Sequence, residues 1–112
     1  MSEIPQVQAE SLEYTSDILE CIDRAFSRFG QSVSSVVYWK FQSDTKLDKD
    51  KIALRPDLFS NTIREIFRDG ALVLERAIIK ELKLKFNLPD RNYKDLEDAV
   101  NSIGLHRNPK EF

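Results

Sequence analysis

The chain has 112 residues, of which 41% are apolar and 32% charged, with only three glycines and four prolines. This composition is typical of one globular domain rich in helix-forming residues, and no second core would fit. With a net charge of −2, the chain lacks the excess of basic residues that is typical of a nucleic-acid-binding domain. A single cysteine excludes an internal disulfide, and a single histidine excludes a histidine-rich metal site. No apolar run approaches the ~20 residues that span a bilayer, so we expect a cytoplasmic protein without a membrane segment.

The chain begins with an acidic segment that has no apolar periodicity. Residues 1–23 contain six carboxylates and no basic residue, so the remainder is mildly basic. We predict that residues 1–14 form a flexible acidic arm. The first helix is then predicted to start with Thr15 or Ser16 as its N-cap and to stop at Gly30. Its apolar stripe comprises Ile18, Leu19, Cys21, Ile22, Ala25, Phe26 and Phe29.

A second helix is predicted to start near Ser32. A strand over residues 35–41 is the alternative, because valine is β-branched, but the apolar residues do not alternate and helix is favoured. Tyr38 and Trp39 flank the inner stripe, and a charged loop follows from Asp44 to Lys51. Ile52 is expected to fix the end of that loop to the core. The inner stripe comprises Val33, Val36, Val37, Phe41 and Leu47.

A third helix is predicted to open at Pro56, which suits a first helical position, and to end around Asp69 and Gly70. The residues predicted to face inward are Leu58, Phe59, Thr62, Ile63, Ile66 and Phe67. Those predicted to face outward are Ser60, Asn61, Arg64 and Arg68.

The fourth helix, about residues 71–87, is apolar around most of its circumference and is predicted to be the central, buried helix. Its one continuous polar arc comprises Arg76, Lys80, Lys83 and Asn87. Pro89 ends it, and a short fifth helix is predicted to stop before Gly104. We therefore expect an all-α fold: a compact bundle of four main helices plus a short C-terminal helix, over residues 15–105, with a frayed tail at 106–112.

The usual catalytic motifs are missing from the sequence. It has no glycine-rich phosphate loop, no HExxH, no CxxC and no GxSxG. Cys21 lies on an apolar stripe, which predicts a packing role, and His106 lies in the predicted tail without a partner at helical spacing. We therefore predict a protein that is not an enzyme, with no cofactor and no metal site.

Two charged residues, Lys40 and Glu75, fall within apolar arcs of the second and fourth helices. A buried charge is costly unless it is paired, so one hypothesis joins them as a partly buried ion pair. The alternatives are that each reaches water from the edge of its face, or that Glu75 pairs with Arg64 or Arg68. A catalytic Glu75 would require a second chemical group, which the sequence does not indicate.

Two further sets of residues are candidates for binding. Tyr38 and Trp39 are interface candidates, because aromatic side chains are enriched where proteins associate. Arg76, Lys80 and Lys83 form a basic strip that could contact phosphates, although a solvated strip is the commoner meaning of such spacing.

The central block also resembles a known family. Residues 25–33 and then Val37, Tyr38 and Trp39 are similar to the opening of a small archaeal domain, the fifth type of Nitrosopumilus output domain. The similarity covers roughly residues 18–88 and continues through Ile52, Pro56, Phe59, Ile63, residues 66–71, residues 74–76, Ile78, Ile79, Glu81 and Leu82. It implies an all-helical, archaeal, cytosolic protein with a regulatory or interaction role and no known activity. Lys40 departs from the family pattern, which has another polar residue there.

The sequence as a whole predicts a non-catalytic helical interaction or signalling-output domain. The fourth helix has more apolar surface than a small bundle can cover, so we expect a homodimer or another protein partner. The alternative is weak nucleic-acid binding through the basic strip, which would show a steep loss of affinity with salt.

Overall fold

The computed structural model describes the backbone of residues 6–107 and the side chains of residues 14–103. Within those limits the chain forms five α-helices and two single-turn 3-10 segments, and no strand. The all-α prediction is confirmed, and residues 35–41 are helical. The helices are α1 (Gln6–Ser27), α2 (Val33–Thr45), α3 (Pro56–Phe67), α4 (Ala71–Phe86) and α5 (Leu96–Arg107), with the 3-10 turns at Lys49–Lys51 and Arg68–Gly70.

The first helix is longer than the sequence predicted. Its backbone is helical from Gln6, so the predicted start at Thr15 or Ser16 is wrong, and residues 6–14 belong to α1. This segment is rich in glutamine, glutamate, alanine and leucine, which favour helix through intrinsic propensity even where no apolar stripe is visible. The first five residues of the predicted arm lie outside the described residues.

The central position of α4 is confirmed, since it packs against α1, α3 and α5. Its buried residues are Ala71, Leu74, Glu75, Ile78, Glu81 and Leu82, which lie on one face. On the other side Leu72, Val73 and Leu84 are more than half exposed. The apolar circumference of α4 is therefore covered on one face only.

An aromatic cluster joins the first three helices. The Phe59 ring of α3 lies 6.4 Å from Phe26 of α1, and 6.3 Å and 5.8 Å from Tyr38 and Phe41 of α2, between centroids. Phe26, Phe41 and Phe59 have no exposed surface. Ile52, as predicted, fixes the α2–α3 connection to the core with an exposure of 1%.

The last helix closes the core and is not short. It has 12 residues, the same number as α3, and it continues through Gly104 to Arg107. The predicted stop before Gly104 is therefore wrong, because one glycine costs a helix only about 1 kcal/mol and the buried residues Leu96, Ala99 and Ile103 hold α5 in place. Residues 108–112 of the predicted tail lie outside the described residues.

Candidate functional site

Glu75 is buried, and its carboxylate joins three helices. Its side chain is 5% exposed, and its Oε2 atom accepts a hydrogen bond from the Ser60 hydroxyl of α3 at 2.6 Å. The backbone N–H of Leu96, at the start of α5, donates to the same oxygen at 3.4 Å, and Arg64 Nη2 lies 3.7 Å away. Every one of these partners is a protein group of a neighbouring element, which is the environment of a structural carboxylate.

The hypothesis that Lys40 pairs with Glu75 is wrong. Lys40 Nζ lies 2.9 Å from Asp44, one turn later in α2, and 3.5 Å from Glu65 of α3. Glu75 instead pairs with Arg64, which was one of the alternatives. Lys40 keeps about a third of its side chain exposed, so its charge reaches water at the edge of α2.

A second buried acid, Glu81, was missed by sequence analysis. Its side chain is 8% exposed and forms an ion pair with Arg28, the residue that follows α1, and its Oε1 lies 4.0 Å from Arg24 Nε of α1. Its signal was present in the sequence, because Glu81 lies two turns after the buried Leu74 and so shares its face of α4. These contacts of Glu81 hold α1, the longest helix, against the central helix α4.

Cys21 packs at the same α1–α4 contact, as its position on the apolar stripe predicted. The thiol donates a hydrogen bond to the backbone oxygen of Glu81 at 3.6 Å, and the residue is 2% exposed. Burial raises the pKa of the Cys21 thiol to about 11, and the nearby Glu81 charge adds to this effect. Because the thiolate is the reactive form, this cysteine is expected to be inert in the folded protein.

We expect Cys21 to react with a thiol reagent such as DTNB far more slowly in the native protein than in denaturant at pH 8. Because the pKa of this thiol is higher in the folded than in the unfolded state, the unfolded chain releases the thiol proton first as pH rises. Burial of the neutral thiol therefore stabilises the fold fully below about pH 9, and this stabilisation is lost as pH rises towards 11. Stopped-flow absorbance would measure the rates. A native rate equal to the denatured rate would contradict the burial of this thiol.

An exposed apolar surface lies where the start of α2 meets the end of α3. We call it the apolar face and define it as Phe29, Val33, Val36, Trp39, Ile66 and Phe67. Four of these residues, together with residues 30–32, line a groove of about 360 Å³. Val36 and Trp39 are 48% and 67% exposed, and residues three apart on a helix are neighbours, so the surface extends along α2 from the groove to Trp39.

The two predicted interface aromatics have different surroundings. Tyr38 stacks on Phe59, its hydroxyl donates to Asp23 at 2.8 Å, and Lys49 Nζ lies 5.0 Å from its ring centroid. Burial and the hydrogen bond to Asp23 raise the pKa of the Tyr38 hydroxyl well above its ordinary value. Tyr38 is therefore part of the fold's own packing, whereas Trp39 leaves most of its surface available.

The predicted basic strip lines a groove beside the α4–α5 connection. We call it the basic groove; it measures about 670 Å³ and is lined by Arg76, Ile79, Lys80, Lys83, Arg91, Asn92 and Tyr93. The fourth cation, Arg91, comes from the connection and was not part of the predicted strip. The structure thus brings Arg76, Lys80 and Lys83 together on one surface and adds the guanidinium of Arg91 to the same groove.

The described part of the chain contains neither a candidate metal site nor a candidate membrane span. No group of three or more histidine, cysteine, aspartate or glutamate side chains there could hold a metal ion. None of the helices between residues 6 and 107 is both long enough and apolar enough to cross a bilayer.

No protein-family model matches the sequence, and no curated protein or solved structure is significantly similar to it. The resemblance to the archaeal output domain therefore stays a prediction.

Proposed function

We propose that this chain is a non-catalytic interaction domain that forms a homodimer through the apolar face. The observation that carries this proposal is the exposure of three large apolar side chains, Phe29, Val36 and Trp39, together with the apolar groove that Val36 lines with Ile66 and Phe67. Exposed apolar patches of this kind on soluble domains mark interaction sites, and aromatic residues are the commonest hot spots in them. A dimer interface on the apolar face would remove the exposed side chains of Phe29, Val36 and Trp39 from water.

The charges beside the apolar face support a second copy of the chain as the partner. Lys40 and Glu65 lie together one turn along from Val36, so the edge of the surface carries both signs. In a two-fold symmetric dimer, every contact between a residue of one copy and a different residue of the other copy occurs twice. Cations of each copy can therefore meet anions of the other. If the edge of the apolar face carried charges of one sign only, the two copies of the chain would repel each other there.

The resemblance to archaeal output domains supports a finer version of this proposal. In that version the dimer is a cytoplasmic regulatory module whose association state transmits a signal. The dimer itself does not depend on this refinement, because it rests on the apolar face alone.

Sedimentation equilibrium over a wide concentration range tests the dimer. We expect the wild-type chain to be dimeric and Val36→Glu to weaken the dimer at least about tenfold, because a carboxylate would be buried without a partner. Leu84→Glu is the matched control, since Leu84 is 71% exposed on α4 and lies outside the apolar face. Circular dichroism would verify that both variants fold.

A wild-type chain that stays monomeric at every concentration would refute self-association. A Val36→Glu variant that dimerises as tightly as wild type, or a Leu84→Glu variant that loses the dimer equally, would refute the apolar face as the interface. The first outcome would direct the search for a partner to other proteins.

A further inference from the structure

Four cationic side chains converge on the basic groove from two segments of the chain. Arg76, Lys80 and Lys83 are spaced four and three residues apart, which places them along one side of α4. Arg91, from the α4–α5 connection, lines the same groove. A groove lined by cations from two segments concentrates positive potential more than a solvated strip on a convex helix does.

The cations of the groove are only partly neutralised by neighbouring acids. Lys83 Nζ lies 2.8 Å from Asp90, and Arg91 lies 3.3 Å from Asp98. Among the side chains of residues 14–103, no ion-pair partner is found for Arg76 or Lys80. The groove therefore keeps a positive charge after internal pairing is counted.

The pairs that do form leave the groove able to accept an anion. The Asp90 side chain is 96% exposed, so solvent screens its ion pair with Lys83 and the pair contributes little. Lys83 can therefore exchange Asp90 for a ligand oxygen at little cost. Arg91 is held more firmly, because its guanidinium also lies 4.0 Å from the Tyr93 ring centroid and donates to the Ser102 hydroxyl at 3.1 Å.

We propose that the basic groove binds a small phosphorylated compound. Its volume of about 670 Å³ falls within the range of small-molecule sites, and guanidinium and ammonium groups are the side chains that best bind phosphate oxygens. The Asn92 amide and the apolar Ile79 offer contacts for the rest of such a molecule. A long nucleic acid fits less well, because the chain as a whole has a net charge of −2 and so has no surplus of cations to contact further phosphates.

Titration of the ¹⁵N-labelled full chain at low salt tests this site, with pyrophosphate and AMP as probes. We expect saturable shifts at the amides of Lys80, Asn92 and Tyr93. The double variant Arg76→Gln/Lys80→Gln should weaken pyrophosphate binding at least about tenfold, since it removes two of the four cations that line the groove and their charge-assisted hydrogen bonds to phosphate oxygens. Lys46→Gln is the matched control, because Lys46 is exposed at the end of α2 and does not line the groove.

Three results would overturn the proposal. One is the absence of saturable shifts with both probes, and another is equal affinity in wild type and in Arg76→Gln/Lys80→Gln. The third is binding of a single-stranded oligonucleotide, with a steep salt dependence, by a chain that does not bind pyrophosphate. That last result would support weak nucleic-acid binding instead, and none of the three bears on the dimer, because the basic groove and the apolar face share no residue.

Discussion

Replacing Phe59 by alanine is expected to lower the free energy of unfolding by about 3–5 kcal/mol. Phe59 has no exposed surface, and its ring contacts aromatic residues of both α1 and α2. Removal of the ring would leave a cavity where three helices meet, and surrounding side chains on separate helices cannot all move to fill it. Since domains of this size are stable by about 5–15 kcal/mol, this variant would lose a large share of its stability.

Urea unfolding followed by circular dichroism would measure this effect. Leu84→Ala is the control, because this residue also loses a large side chain but is 71% exposed, so we expect a change within about 0.5 kcal/mol. If Phe59→Ala and Leu84→Ala were equally stable, the aromatic cluster would not be the centre of the core.

Glu75→Ala is expected to lower the free energy of unfolding by about 2–4 kcal/mol, because it leaves the Ser60 hydroxyl and the Leu96 N–H without their acceptor inside the protein. Arg64 contributes less to this loss, since half of its side chain is exposed and water can solvate its charge. Glu75→Gln should cost less than Glu75→Ala, because the amide oxygen still accepts a hydrogen bond.

The matched control for this prediction is Glu65→Ala, which removes the same charge from a side chain that is 61% exposed. We expect it to change stability by less than about 0.5 kcal/mol. A double-mutant cycle between Glu75→Ala and Ser60→Ala would isolate the contribution of their hydrogen bond. Equal stability of the Glu75→Ala and Glu65→Ala variants would show that the carboxylate network does not stabilise the fold.

The sequence predicted the helices whose apolar residues repeat at helical spacing. The predicted limits of α2, α3 and α4 agree with the structure to within a few residues, since Gly30 lies just before α2, Pro56 begins α3 and Pro89 follows α4. The predicted start of α1 and the predicted end of α5 were wrong, because neither limit follows from the spacing of apolar residues. Intrinsic propensity extends α1 to Gln6, and packing carries α5 past Gly104.

The polar interior was harder to predict than the helices. Ser60 was assigned to the outer face of α3, yet it is buried and bound to Glu75. A helical wheel locates a residue on one helix but does not reveal which neighbour lies opposite, so it could not choose between Lys40 and Arg64 as partners of Glu75. The position of Arg91 beside the basic strip likewise depends on how the α4–α5 connection folds back.

The contribution of α5 to the core determines when this chain can fold during its synthesis. The helix supplies the buried residues Leu96, Ala99 and Ile103 and the backbone donor to Glu75, although it follows every other helix in the chain. A nascent chain that has released only the first four helices therefore exposes the inner face of α4, including a carboxylate that lacks one of its donors. Folding is completed only after residue 103 has left the ribosome, and until then the incomplete bundle is a substrate for chaperones and proteases.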